Sequence, residues 1–507
     1  MNEKARTPRK PQLRPGRAGT TNRGSGRPGN VVALLSSLMN QRSSGLVEAA
    51  LETWISSAAP GARLPSTREL TAHHGVSPVT VQAALRSLVC RGLIETRPGA
   101  GTFVSATREL RPVDLSWQTA TLGAAGAAPA AASSALRTVR SDAISLHSGY
   151  PDRSLLPERL LRPAVARAGR GDAALERTGS AGLAGLRGWF AAEIAAQTPA
   201  DGTGPSARDV IIVPGSQLGL AVLFRSIAGP GGAILIESPT YWGAILAAGQ
   251  VGVTLVPVPA STEGPDVTAL ERAFTETGAR GFYAQPNFAN PTGARWSAAR
   301  AAHVLEIVRT HGAFLIEDDW AHDFGITADP VPVVTRDDSG HVVYLRSLTK
   351  SVSPAIRVAA LVARGPLHHR LLTELQSQSM YVSGLLQAAA LDVVTQPAWQ
   401  SHRRALRKQL RARRDLLVAA LRTHASDATI EGIPAGGLNL WVRLPDGTDL
   451  ARLTQDAELR GLAVAAGNEW FPAEPTAPYV RLSFAGPNPD AFDQAAIILG
   501  EVLAEQR

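Results

Sequence analysis

The chain has 507 residues, 44% of them hydrophobic, which is ample for more than one domain, and its single cysteine, Cys90, excludes an internal disulfide framework. There is no apolar run of about 18 residues and no apolar centre behind the polar N-terminus, so no membrane span or signal peptide is expected, and the cytoplasm is the expected compartment. The formal net charge is +8, and residues 1–30 hold +7 of it, from eight basic side chains against Glu3. That arm, rich in Pro, Gly and Thr, buries too little to fold by itself. Disorder and a non-specific phosphate contact are expected of it.

Residues 31–105 read as the first folded unit. Val31 to Met39 and Leu46 to Ile55 carry apolar positions at helical spacing. Ser66 with Glu69 three residues later is the capping-box pattern, predicting a short helix to about His74. Gly75-Val76-Ser77-Pro78 predicts a tight turn, with Ser77 as the cap and Pro78 at the first helical position of a second helix to about Cys90. Leu93 to Val104 then predicts a hairpin with a glycine tip. Two short helices across a turn, then a hairpin, describe a winged helix-turn-helix, although spacing alone leaves a three-helix bundle open.

The residues narrow this. Leu64-Pro65-Ser66 with Arg68 and Leu70, Gly75-Val76-Ser77, Thr80-Val81, Ala84-Leu85, Leu88, Gly92-Leu93-Ile94, Arg97, Gly99 and Gly101-Thr102-Phe103-Val104 closely resemble the GntR family of winged-helix transcription regulators. The resemblance implies that Arg68, Ser77, Val79, Thr80 and Gln82 face double-stranded DNA, with Arg86 close to its backbone. The wing, with Arg97, Gly99 and Gly101, would approach the minor groove. Family members often carry a basic residue where this chain has Pro78, so base readout is expected to lean on other positions.

Residues 106–142 shift to Ala, Gly, Thr and Ser without periodicity and read as a linker, flexible or partly helical. From 143 to 507 strand-like runs alternate with helical ones, predicting an α/β domain with a mostly parallel sheet. A smaller C-terminal subdomain is expected from about 399. Four runs each end in a polar cluster: Asp209–Val213 before Gly215-Ser216-Gln217, Ala233–Glu237 before Ser238-Pro239-Thr240-Tyr241, Arg280–Gln285 before Pro286-Asn287-Phe288-Ala289-Asn290-Pro291-Thr292-Gly293, and Ala313–Glu317 before Asp318-Asp319-Trp320. Open α/β sheets bind ligands past the carboxyl ends of their strands. A strand, a small-residue turn and a helix start also make an anion site from backbone N–H groups.

A fifth pair of runs, His341–Leu345 and Val358–Val362, flanks Arg346-Ser347-Leu348-Thr349-Lys350 and puts one amine on a loop at a sheet edge. A buried amine near other cations has a lowered pKa and reacts with an aldehyde cofactor, while Ser347 and Arg357 offer a hydroxyl and a planar fork to its phosphate. One such turn would mean little. The four clusters with the lysine after them resemble the aminotransferases of fold type I, which use pyridoxal phosphate.

The resemblance implies that Lys350 forms the Schiff base and that Ser216, Gln217, Ser347 and Arg357 hold the phosphate. Tyr241 would stack on the ring, Asn290 bond its phenolic oxygen and Asp318 pair with its nitrogen, with Asp319 as the competitor for that last role. Pro478-Tyr479-Val480-Arg481-Leu482-Ser483-Phe484 matches the motif whose arginine grips a substrate carboxylate, here Arg481. No metal is called for.

Two departures from that pattern stand out. Trp320 and Ala321 occupy the place of a tyrosine that usually bonds the phenolic oxygen, and indole N–H can only donate. Glu176 to Gly182 lacks the tyrosine that usually reaches a partner's phosphate. Both count against efficient transamination.

A GntR-type winged helix joined to an aminotransferase-like domain resembles the MocR subfamily of regulators. The resemblance implies a cytoplasmic homodimer in which the cofactor, with an amino acid or amine effector, sets DNA affinity. The rival expectation is a working aminotransferase with an appended DNA-binding unit.

Overall fold

The structure, a computed structural model, describes residues 29–105, 118, 133–140, 142–486 and 488–506, with side chains from residue 43 onward. The basic arm and most of the expected linker lie outside these residues. The chain divides into two compact units, Met1–Ala125 and Gly126–Arg507.

In the first unit the two N-terminal apolar runs fall on one helix, α1 (Gly29–Ser57). Val47 and Leu51, one turn apart, bury against Leu64, Leu70, Val81, Leu88, Ile94 and Val104. Each such side chain contributes roughly 1.5–3 kcal/mol by leaving water. Helix α2 (Thr67–His74) starts with both halves of the capping box: Glu69 N–H donates to Ser66 Oγ at 3.3 Å, and Ser66 N–H donates to Glu69 Oε2 at 2.7 Å. Gly75, at φ +63°, ends it in the left-handed conformation. Helix α3 (Pro78–Cys90) begins with Pro78 after the Ser77 cap. Strands β1 (Ile94–Arg97) and β2 (Gly101–Val104) pair antiparallel, Ile94 opposite Val104 and Arg97 opposite Gly101, and form the wing. Arg63 crosses its base, where a Cβ on Gly101 would lie 3.0 Å from the Arg63 Nε.

The second unit is built on an eight-stranded sheet ordered β4 (Val210–Val213), β11 (Ala359–Val362), β10 (Val342–Ser347), β9 (Phe314–Asp318), β8 (Gly281–Ala284), β5 (Ala233–Ser238), β6 (Thr254–Ser261), β7 (Gly264–Pro265). Neighbours from β10 to β6 are parallel; β11 runs antiparallel to both β10 and β4, and β7 antiparallel to β6. Period-two alternation splits each strand between two cores. Ile212, Leu235, Phe282, Leu315 and Val342 enter one, and Ile211, Ile236, Tyr283, Ile316 and Val343 the other. Burial on both faces explains why these strands read as continuous apolar runs. It also leaves polar groups only at the strand ends. Strand β10 is interior, so the Lys350 loop hangs from the carboxyl end of a central strand rather than from an edge strand.

The C-terminal part carries a four-stranded antiparallel sheet ordered β12 (Thr429–Ile430), β13 (Asn439–Arg443), β16 (Tyr479–Ser483), β15 (Ala465–Ala466). The helix Pro397–His424 packs on it through Leu406, Leu410, Leu417 and Leu421. A short parallel pair, β3 (Ile144–Ser145) with β14 (Leu462–Ala463), ties the N-terminal edge of the unit to this sheet.

Candidate cofactor cavity and DNA-facing surface

The strand ends deliver eight sequence-predicted side chains to one cavity: Ser216, Gln217, Tyr241, Asn290, Asp318, Ser347, Lys350 and Arg357. At one end Ser216 and Gln217 open the helix α4 (Ser216–Ile227) after Gly215, whose φ of +89° suits glycine. Any Cβ there would sit 2.9 Å from the Arg357 guanidinium, so the glycine lets the guanidinium approach the helix start. Arg357 itself adopts φ +47°, unusual for a side-chain-bearing residue, to make that approach. Helix N-terminus, guanidinium and the Ser347 hydroxyl together form an anion cradle. The Gln217 side chain is spent otherwise: its Nε2 donates to the Gly243 carbonyl at 2.8 Å, leaving its backbone for the cradle.

At the other end Asp318 is 1% exposed. Its Oδ2 accepts from Tyr283 Oη and Gln285 Nε2, both at 2.8 Å, and its Oδ1 is buried without a partner. Burial pushes the carboxyl up to about 6, with the two hydrogen bonds and Lys350 pulling the other way. Asp319 points away from the cavity. Its Oδ2 accepts from Tyr344 Oη at 2.7 Å and bonds His322 Nδ1 at 2.6 Å. Strand alternation separates the two neighbouring carboxylates.

Lys350 lies at the cavity wall with Nζ 4.2 Å from the Trp320 ring centroid. Dense surroundings, then the Arg481 charge, hold its ammonium down to about 7, against the pull of Asp318. A substantial share of free amine is therefore present at neutral pH. Trp320 donates its N–H to the Phe288 carbonyl at 3.1 Å, so the indole offers the cavity a ring face and no donor.

Arg481 is 1% exposed beside the cavity; burial brings its pKa down to about 10. One terminal nitrogen donates to the His147 carbonyl at 2.6 Å and the other to Asn290 Oδ1 at 3.3 Å, which also accepts from Trp470 Nε1 at 3.2 Å. Two donors on Oδ1 fix the Asn290 amide so that its NH₂ is the end left for a ligand. Tyr150, Gln285, Trp320 and Thr349 also line the cavity. Sequence reasoning reached Trp320 only as a departure. Gln285 stood at the end of a strand run and was legible there, whereas Tyr150, Trp470 and His147 carry no local signal.

On the first unit Arg68, Ser77, Gln82 and Arg86 are exposed, as is Val79 at 64%. Thr80 corrects the expectation: it is 3% exposed, with its Oγ1 2.8 Å from Ser77 Oγ, so it completes the cap and faces inward. Gly99 is exposed at the wing tip and Gly101 partly covered. Arg97 donates through Nε to Glu95 at 2.9 Å and stacks 4.7 Å over Phe103, which partly offsets its charge. Among the described residues no group of His, Cys, Asp and Glu is arranged to hold a metal ion, and no helix is long and apolar enough to cross a membrane.

Residues 201–499 match the family described as aminotransferase class I and II, and residues 44–104 match the gntR family of bacterial regulatory proteins. An uncharacterized HTH-type transcriptional regulator of Bacillus subtilis, YdfD, is 27% identical over 88% of this chain and 92% of its own length. The probable rhizopine catabolism regulatory protein MocR of Rhizobium meliloti is 28% identical over 84% of this chain and 86% of its own. Among solved structures, the α-aminoadipate aminotransferase LysN of Thermus thermophilus, complexed with N-(5'-phosphopyridoxyl)-L-leucine, superposes with a TM-score of 0.70 at 27% identity, covering 77% of this chain and 99% of that one. The chain therefore belongs to the aminotransferase class I and II family and carries ahead of that domain a gntR-family regulatory domain, the two-part plan of the MocR-like regulators.

Proposed function

We propose that this protein is a DNA-binding transcription regulator whose aminotransferase-like unit holds pyridoxal phosphate and senses the cofactor, an amino acid or an amine. The observation that carries the reading is the unpartnered, buried Asp318 Oδ1 in the same cavity as an anion cradle and a lysine of lowered pKa. Leaving such an oxygen unbonded costs roughly 1–3 kcal/mol, a cost a protonated ring nitrogen would remove. The donor set fits the group at each point. Ser216, the Gln217 backbone, Ser347 and Arg357 would hold its phosphate, Tyr241 would cover the ring, and the Asn290 NH₂ would reach its phenolic oxygen. When bound, the cofactor supplies an aldehyde for amines and an electron-withdrawing ring. Lys350 offers the amine and Arg481 would orient an incoming carboxylate. A homodimer in the cytoplasm, bound to paired half-sites, is part of the same proposal.

The test is binding of the purified protein to its own upstream intergenic DNA, with and without pyridoxal phosphate, beside Lys350→Ala. The expected result is an affinity that changes with the cofactor in the parent and not in the variant. Identical behaviour of both proteins with and without cofactor would sink the reading. The second reading, a turning-over aminotransferase, is favoured by the complete set of Lys350, Asp318, Asn290 and Arg481. Steady keto-acid production from an amino donor would establish it. The commitment of the Trp320 N–H to Phe288 speaks for the sensor.

A further inference from the structure

The stretch of chain leading from the second unit back toward the first is clamped against the residues that hold Arg481. Ser134–Leu136 form a single 3₁₀ turn, and Ala135 packs into an aromatic block with Trp441, Trp470 and Phe471. Glu469 holds the start of this turn: Ser133 Oγ donates to its Oε2 at 2.5 Å, and the Ser134 N–H donates to Oε1 at 2.9 Å and Oε2 at 3.1 Å. One turn further on, the Arg137 guanidinium reaches Glu458 at 2.6 Å, and its carbonyl bonds His147 Nε2 at 3.0 Å.

Both anchors run to Arg481. The His147 carbonyl accepts from Arg481 at 2.6 Å. Glu469 directly precedes Trp470, whose ring lies 4.8 Å under the Arg481 guanidinium and whose N–H bonds the same Asn290 oxygen as Arg481. Among the described residues Arg481 has no carboxylate within ion-pair distance. Glu469 is the acidic group that supports its charge through space. The residue that restrains the interdomain stretch is therefore also the distant counter-charge of the residue that would receive an effector.

We propose that Glu469 couples the occupancy of Arg481 to the hold on Ser133 and Ser134. A carboxylate seated on Arg481 takes over as its direct counter-charge and repels the Glu469 carboxylate from its place on Ser133 and Ser134, so the clamp on the interdomain stretch weakens. Released, that stretch no longer fixes where the chain leaves the second unit. The proposal rests on the reading of the cavity as a sensor site. It also meets the requirement that an effector bind two states differently, since clamped and released forms hold the Glu469 charge at different distances from its carboxylate.

The experiment uses the full chain loaded with pyridoxal phosphate and follows tryptic cleavage after Arg137 and Arg140 by mass spectrometry, with cofactor absorbance recorded in parallel. The probes are the common L-amino acids in turn, with n-propylamine as a carboxylate-free control. Expected is an increase in cleavage of about fivefold or more, in line with ordinary coupling free energies, with amino acids that alter the absorbance and not with propylamine. Glu469→Gln, which keeps one acceptor and loses the charge, is cleaved fast from the outset and responds little further; Glu469→Asp restores the restraint in part. Wild-type cleavage rates in Glu469→Gln, or an amino acid that alters the absorbance and leaves wild-type cleavage unchanged, would overturn the coupling alone. Failure of every amino acid to alter the absorbance would overturn the amino-acid form of the sensor reading, on which the coupling rests. Retention of the cofactor band in both variants shows that they fold.

Discussion

The two units hold their polar chemistry in different ways. In the N-terminal unit the helix caps are short-range, Ser66 with Glu69 and Ser77 with Thr80, its longer-range polar contacts join Glu48 to Ser87 and Arg91 near the surface, and the arginines that would meet DNA stand exposed. In the cavity the polar groups are buried and come from distant parts of the chain, and some have unfilled valences. Asn290 and Arg481 meet across 191 residues, and Asp318 Oδ1 and Arg481 Nε find no partner. Exposed groups cost little when unpaired because water serves them; buried ones are costly. A fold that retains such atoms at the end of an otherwise apolar sheet points to a ligand that completes them.

The largest expected effect follows from that difference. Asp318→Asn keeps the shape of the side chain and removes the charge facing the ring nitrogen. A charged hydrogen bond of this kind contributes roughly 2–3 kcal/mol, so pyridoxal phosphate should bind about 30- to 150-fold more weakly in an absorbance titration. Tyr283→Phe, which removes one of the two donors to Oδ2, should cost about 1 kcal/mol by the same titration. Equal affinities in parent and Asp318→Asn would show that Oδ1 faces no cationic ring. Next in size is Arg481→Lys, which replaces a planar fork with a point charge. Amino acid binding, followed by the cofactor spectrum, should weaken roughly tenfold, and binding of carboxylate-free amines should weaken much less. Parallel losses for both ligand classes would break the assignment of Arg481 to the carboxylate.

The same contrast explains what was legible in the sequence. A capping box or a Ser-Pro helix start is written in four consecutive residues, so α2 and α3 could be read with their caps. Strands buried on both faces read as apolar runs, and their ends marked Ser216, Tyr241, Asn290, Asp318 and Lys350. Strand β6, whose prolines Pro257 and Pro259 interrupt the run, gave no such signal. Trp470, His147 and Tyr150 were invisible because nothing near them in the sequence tells which long-range neighbour they meet. Thr80 went wrong for the opposite reason. The resemblance placed it on the exposed start of a helix, but its hydroxyl turns back to Ser77.

Buried carboxyls in the second unit also set a pH dependence. Burial raises Glu317 to about 8 and Glu237 to about 7, above an unfolded value near 4.5. A carboxyl with a raised folded value contributes stability that is fully present below its unfolded value and is lost as pH rises toward the folded one. These two carboxyls should therefore pull the melting temperature of the second unit down between about pH 4.5 and 8, against the buried His147 and the half-buried His368 and His402, which favour folding as pH rises. Glu317→Gln should raise the high-pH end of the curve relative to the low. Lys350 acts at higher pH and in reverse. Its value, lowered to about 7 from 10.5, favours folding most above 10.5 and progressively less as pH falls toward 7. A Glu317→Gln variant whose melting temperature follows pH as the parent's does would contradict the burial of that carboxyl.

The smallest effects separate fold from recognition within the N-terminal unit. Thr80→Val keeps the volume at a 3% exposed position but deletes the hydroxyl that lies 2.8 Å from Ser77 Oγ, so it should cost about 1 kcal/mol of stability, as loss of a capping contact does. Its effect on the salt dependence of DNA binding should be negligible, because an inward hydroxyl neutralises no phosphate. Arg86→Ala should behave in the opposite way, leaving thermal unfolding within about 0.5 kcal/mol of the parent, as exposed substitutions do. It should lower the slope of log affinity against log salt by about one unit, the share of a single phosphate contact. The pair is decisive because the two residues sit on the same helix, six positions apart, and differ chiefly in the direction they face. If Thr80→Val altered the salt slope and Arg86→Ala did not, the face of α3 turned toward DNA would be the one that the packing of Val81, Ala84 and Leu88 assigns to the core.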